Sequence, residues 1–166
     1  EICACLVGSE MCIRDSANTV YKTDGDSTYY AHWEEATVFS VIVPAVLPVT
    51  VDQNGKVYVS NAEIVNHSTA AVQVSSVTLT AENGWTLVPY ASDMSHAKVD
   101  SNQIGFKINS AQTSKTGSTE QLVLTSPWQI NEEESLTLTY EAVVSALSQP
   151  VTNANILSVL FVVEWA

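Results

Sequence analysis

The sequence predicts an all-β protein, an immunoglobulin-like or jelly-roll-like antiparallel β-sandwich of about seven to nine strands. Short runs rich in valine, isoleucine, threonine and aromatic residues alternate in polarity, and turn-forming residues recur about every ten positions. No run has the spacing of an amphipathic helix. Each short alternating strand has one apolar face that must be buried. Two sheets packed face to face bury these apolar faces between them.

The first strand candidate is the β-branched segment from Val38 to Val51. Pro44 and Pro48 interrupt it, and proline lacks the N–H that a strand ladder needs. We therefore expect an edge strand or a strand that changes sheets. Asn54 and Gly55 follow, and they predict a tight type I′ hairpin turn because both accept positive φ angles.

The middle of the chain contains two further predicted strands, at 62–66 and 71–81. In the second, Val77 and Leu79 are predicted to face the core. The apolar face changes near Ser75 and Ser76, which indicates a β-bulge.

The next predicted element is a turn at 82–84, Glu-Asn-Gly. Half-buried strands are expected at 85–88 and 104–108, where apolar and polar residues alternate. The polar stretch 110–118 is predicted to be a mobile loop.

The last third of the chain contains predicted strands at 121–124, 136–142 and 156–165. Three consecutive glutamates, 132–134, lie between Trp128-Gln129-Ile130 and an alternating strand. That position predicts a charged hairpin turn instead of the start of a helix.

The charge balance excludes one class of partner. The chain of 166 residues has 6 basic and 18 acidic side chains, for a formal net charge of -12. A surface that binds phosphate needs clustered Lys and Arg, so nucleic acid is not an expected partner.

With 46% hydrophobic and 14% charged residues, the chain has enough apolar content to fold. The sequence contains no run of eighteen apolar residues, so it predicts no membrane-spanning helix.

The beginning of the chain differs from the rest. Cys3, Cys5 and Cys12 are its three cysteines, and the run 6–16, LVGSEMCIRDS, resembles the translated end of a sequencing adapter. We expect a non-native segment 1–16, an arm or damaged first strand 17–36 and a β-sandwich domain 37–166. Residues 17–166 contain no cysteine, which suits export, and a signal peptide is expected to have lain upstream.

Aromatic residues supply one candidate site. Trp85 and Trp165 lie in alternating runs and are expected to pack in the core. A flat platform for stacking sugar rings, which makes a carbohydrate-binding module the second candidate function, is predicted at Tyr29, Tyr30, Trp33 and Trp128. No residues have the spacing of a catalytic motif or a metal site, so the sequence predicts neither an enzyme nor a cofactor.

Several runs share one strand-and-turn pattern: NGWTL at 83–87, IGFKIN at 104–109, LTYEA at 138–142 and VLFVVEW at 159–165. On these runs, residues 37–166 resemble a β-sandwich module of Gram-positive cell-surface proteins. More distantly the chain is similar to exported fibre-forming proteins of the camelysin and TasA type. The resemblance implies a location outside the cell or in the cell wall and a structural or adhesive role. The implied partners are other surface proteins or a second copy, reached through an edge strand. No catalytic residue of that group is matched.

Overall fold

The computed structural model describes residues 37–51, 57–151 and 154–166, and residues 37–166 form one compact unit. The described chain is all-β, with antiparallel sheets packed together, which confirms the predicted class. Within the described ranges the non-strand element is one turn of 3₁₀ helix, Met94–His96. The strands are β1 Val41–Ile42, β2 Val49–Val51, β3 Val57–Val59, β4 Ala62–Asn66, β5 Val72–Ala81, β6 Thr86–Leu87, β7 Gln103–Ile108, β8 Ala111–Gln112, β9 Thr119–Gln121, β10 Trp128–Ile130, β11 Ser135–Leu138, β12 Tyr140–Val144 and β13 Leu157–Trp165.

Two strands organise the two larger sheets. β5 pairs with β13 on one side and with β10 and β9 on the other, all antiparallel. β7 pairs with β12 on one side and with β8 and, in parallel, β6 on the other. Two smaller sheets have the orders β1-β4-β11 and β2-β3.

The core is one cluster of buried side chains from both larger sheets. Trp85 lies in it, as predicted. The members contributed by β5 and β7 are Val72, Val74, Val77, Leu79, Ile104, Phe106 and Ile108.

The predicted bulge in β5 is confirmed. Val77 and Leu79 are fully buried, and the register with β13 shifts between Val162 and Val163. That shift leaves Ser75 as the extra residue on β5. The extra residue turns the next side chains by one position, so apolar residues face the core on both sides of the bulge.

The proline-bearing segment crosses between sheets, as predicted. β1 lies at one end of the β1-β4-β11 order, whereas β2 pairs with β3. Pro44 and Pro48 lie in the connection between them, where no ladder bond is lost. The predicted turn at Asn54 and Gly55 lies outside the described residues, while the strands that flank it do pair.

Two predicted turns have different outcomes. Asn83 and Gly84 have φ angles of 51° and 80°, and the Trp85 amide donates to the carbonyl of Glu82 at 3.0 Å, so the turn at 82–84 is confirmed. The glutamates 132–134 do form a turn, but the predicted hairpin is wrong. β10 before them pairs with β5, and β11 after them pairs with β4.

Boundaries in the second half also differ from the prediction. The predicted loop 110–118 includes β8, and the predicted strand 121–124 is instead β9, Thr119–Gln121. Buried polar groups hold this region in place. Thr113 is buried and its hydroxyl donates to the Val88 carbonyl at 2.7 Å, and the buried Glu120 carboxylate accepts hydrogen bonds from the amide and hydroxyl of Ser114.

Two more predictions are corrected. The single strand predicted at 136–142 is broken at Thr139, whose amide donates to Asn109 Oδ1 at 2.9 Å. Trp165 is not in the core: it is 39% exposed and packs edge-on against Phe39, with ring centroids 5.0 Å apart.

A buried asparagine joins the turn after β4 to the end of β10. Asn66 is fully buried, and its Nδ2 lies 3.0, 3.2 and 2.9 Å from the carbonyl oxygens of Ala70, Ile130 and Asn131. Its Oδ1 accepts from the amide of Ser68 at 2.8 Å. One side chain thus satisfies backbone groups from two separate turns, which a buried position requires.

Candidate functional site

The described surface has one long open strand, β13, and its outer side is called the β13 edge below. The strand has nine residues and pairs with β5 along its length. On its other side it pairs with no strand of the described residues. An open edge presents unpaired N–H and C=O groups, which can bond to a further strand.

The ladder with β5 shows which backbone groups point outward. In an antiparallel pair, residues alternate between those bonded to the partner and those whose groups point away. The amide of Glu82 donates to the Ile156 carbonyl at 3.0 Å, and that of Ala166 donates to the Ala71 carbonyl at 3.1 Å. Both of these bonds involve even-numbered residues at the ends of β13, so the backbone groups of its even-numbered residues face β5. The backbone N–H and C=O groups of its odd-numbered residues point outward, and these residues are Leu157, Val159, Phe161, Val163 and Trp165.

The side chains of β13 do little to prevent a second strand from pairing. Leu160 and Val162 are 62% and 43% exposed. Glu164 is the one charged residue in the strand, and its Oε1 accepts from Gln73 of β5 at 3.2 Å. Natural edge strands are commonly protected by charges, prolines or bulges that turn the edge away. The bulge here lies on β5, so the β13 edge stays regular.

An open cleft of about 1570 Å³ lies along the first half of β13. Val159 and Phe161 line it from β13, and Trp85 and Phe106 line it from the rest of the core. None of the described residues that line this cleft is charged. Along the β13 edge the inward side chains of Leu157, Val159, Phe161 and Val163 are only half-buried, as expected where a sheet stops.

A polar cluster joins β7 and β12 on another part of the surface. The Tyr90 hydroxyl donates to the Glu141 carboxylate, and Lys107 Nζ lies 4.0 Å from Glu141 Oε2 and 5.8 Å from the centroid of the Tyr90 ring. The hydrogen bond to Glu141 raises the pKa of the Tyr90 phenol above its ordinary value. The three groups satisfy one another, which suits a clamp that fixes Tyr90 to the two strands.

The predicted sugar platform is only partly within the described chain. Trp128 lies in β10 and is 9% exposed, so it presents no open ring face. Its indole Nε1 has no hydrogen-bond partner among the described residues. The other three candidates, Tyr29, Tyr30 and Trp33, lie outside the described residues, and a platform built from them stays a prediction.

The sequence indicated the strand β13 but not its open edge. Apolar residues occur on both of its faces, with Val159, Phe161 and Val163 on one and Leu160 and Val162 on the other. Such a run is typical of a strand covered on both faces. The candidate site is recognised by two features of β13 together: its outer face is apolar, and it is the last strand of its sheet.

The described residues also bear on metal binding and on membrane-spanning helices. Within the ranges that the structure describes, no group of three or more His, Cys, Asp or Glu side chains could hold a metal ion. No helix in those ranges has the length and apolar character needed to cross a membrane.

Compared with known proteins, the chain matches no family model, no curated protein and no solved structure.

Proposed function

We propose that this chain is a structural or adhesive protein of a bacterial surface, secreted or associated with the cell wall, that joins its partners by strand addition at the β13 edge. The observation that carries the proposal is the edge itself, nine residues long and open on one side among the described strands. In strand addition, main-chain hydrogen bonds supply affinity and the alternating side chains supply specificity. The five outward-facing residues of β13 provide those groups.

Composition and resemblance support the location. Removing Glu1, Glu10, Asp15 and Arg14 with the first sixteen residues leaves 15 acidic (18 minus 3) and 5 basic (6 minus 1) side chains, for a net charge of -10. Strong net charge keeps a protein soluble at high local concentration. Residues 17–166 have no cysteine that an oxidising environment could cross-link. The resemblance to Gram-positive surface modules agrees with these features.

The contact area sets the expected strength. One strand pairing along an edge buries much less than the roughly 1,600 Å² of a typical stable complex. We therefore expect weak association in dilute solution. Dense display on a surface strengthens such contacts, because several weak contacts then act together.

The proposal is tested by substituting the exposed face of β13. We expect wild-type protein to associate with increasing concentration in sedimentation velocity, and Leu160→Lys to weaken that association about tenfold by placing a charge in an apolar strand contact. The substitution lowers the net negative charge, so reduced repulsion alone would act in the opposite direction.

Val123→Lys is the matched control. Val123 is 81% exposed and lies outside β13, and the substitution makes the same change of charge. It should leave association unchanged. A wild-type protein that stays monomeric up to its solubility limit, or equal effects of the two variants, would contradict the proposal.

A further inference from the structure

We propose that β13 of a second copy is the partner strand, paired antiparallel about a twofold axis at Phe161. This inference rests on the function proposed above and specifies its partner. It follows from the positions of the outward-facing groups and from the side chains between them.

The backbone restricts the possible registers. Antiparallel strands bond through residues whose groups point at each other, and in β13 these are the odd positions from 157 to 165. Two copies must therefore place odd positions opposite odd positions. An axis at Phe161 does so over all nine residues: Leu157 faces Trp165 of the second copy, and Val159 faces Val163. An axis one residue away, at Leu160 or Val162, also pairs odd with odd positions but leaves seven residues of overlap, and an axis two residues away leaves five.

The exposed side chains match in the same register. Leu160 faces Val162 of the second copy, and the symmetric pair doubles this contact, so four aliphatic side chains meet at the centre. Each is exposed in the single chain. Opposed pairs of this kind are the unit that stabilises a sheet.

The charges on β13 also fit a second copy. Glu164 faces Ser158 of the other strand, so the two glutamates lie at opposite ends of the contact. Six residues separate them along the strand direction, roughly 20 Å, which exceeds the Debye length of about 8 Å at physiological salt. The acidic chains thus meet along a strand with a single charged residue. Because added salt screens the repulsion between two chains of net negative charge, we expect it to strengthen the contact.

The symmetry has a consequence for assembly. A twofold contact uses the same surface on both copies and closes on itself. Pairing through β13 alone therefore gives a dimer with a sheet continuous across both copies. Longer assemblies require a second contact surface.

The register is tested with cysteine pairs in the full chain, with Cys3, Cys5 and Cys12 replaced by serine. Leu160→Cys and Val162→Cys are prepared as separate proteins. In the proposed register, position 160 of one copy is about 4.5 Å, Cα to Cα, from position 162 of the other, which a disulfide can span. Positions 160 and 160 lie roughly 8 Å apart, beyond its usual reach.

We expect an oxidised equimolar mixture of the two variants to form covalent dimers on a non-reducing gel, at least about fivefold more than either variant alone. Val123→Cys mixed with Leu160→Cys is the control and should give the background. Equal cross-linking by single variants and by the mixture would overturn the register.

Two further outcomes separate this inference from the proposed function. If no cross-link forms in proteins that still associate, and Leu160→Lys still weakens that association, the β13 edge joins a different strand and the twofold pairing is wrong. If no variant or wild-type protein associates at any concentration, the proposed function falls together with the inference.

Discussion

Asn66→Ala is expected to lower the free energy of unfolding by about 3 kcal/mol. The substitution removes the donor shared by three backbone carbonyls and leaves the Ser68 amide without its acceptor in a fully buried position. Asn66→Asp should cost more, because a carboxylate would face the same carbonyls without a hydrogen to donate. Urea denaturation at equilibrium measures both changes.

Asn131→Ala is the control for that prediction. The Asn131 side chain is exposed, and its Nδ2 donates to the Glu134 carboxylate at 2.9 Å. Its backbone carbonyl, which accepts from Asn66, is retained. We expect a loss below about 1 kcal/mol. Equal losses for Asn66→Ala and Asn131→Ala would show that the buried network does not hold the two turns together.

Gly105→Ala should also destabilise the fold, by about 3 kcal/mol. Gly105 lies in β7 beneath Pro89 and Tyr90, and a Cβ there would lie 2.8 Å from Tyr90 Cα and 3.1 Å from the Pro89 carbonyl oxygen. It would also lie 2.8 Å from Cγ2 of Val143 on the paired strand β12. Backbone atoms on one side and a half-buried side chain on the other leave little room to adjust. Thermal and urea unfolding measure the loss.

Gly117→Ala provides the comparison within the same chain. Apart from its chain neighbours, no atom of the described residues lies within 4 Å of a Cβ built at Gly117, and its φ lies outside the left-handed region. We expect a change within about 1 kcal/mol, because the added methyl group meets no obstacle and alanine restricts the unfolded chain. If Gly105→Ala unfolds at the same urea concentration as wild type and Gly117→Ala, the close approach over β7 is absent.

Local side-chain patterns predicted several features of the fold. The change of apolar face at Ser75 and Ser76 indicated the bulge. Side chains in a strand alternate between its two faces, so the apolar residues can change face only where an extra residue is inserted. The two prolines indicated the crossing from β1 to β2, because neither can contribute an amide to a ladder. In both cases the physical constraint acts within a few residues of the signal.

The choice of strand partners was less predictable. The glutamates at 132–134 suit any exposed turn, so they do not distinguish a hairpin from a connection between sheets. Thr139 breaks a run that alternates without interruption, because its amide bonds to Asn109, thirty positions away. Non-local contacts decide these points, and a local pattern does not contain them.

At the candidate site, too, local patterns predicted the strand but not its neighbours in the sheet. The apolar residues of β13 predicted a strand, but the same residues are found in strands with neighbours on both sides. Trp128 was a candidate for an exposed platform, yet its place in β10 beside β5 buries it. Exposure of a large ring or of a strand edge depends on the sheet order, which the sequence left open.

Amide hydrogen exchange along β13, resolved by residue, tests the role of this edge most directly. In dilute solution we expect rapid exchange at Val159, Phe161 and Val163, and slow exchange at Leu160 and Val162, whose amides face β5. At concentrations where the protein associates, the first three amides should become protected while the other two stay slow. Unchanged rapid exchange at all three in the associated protein would show that the β13 edge is not the joining surface.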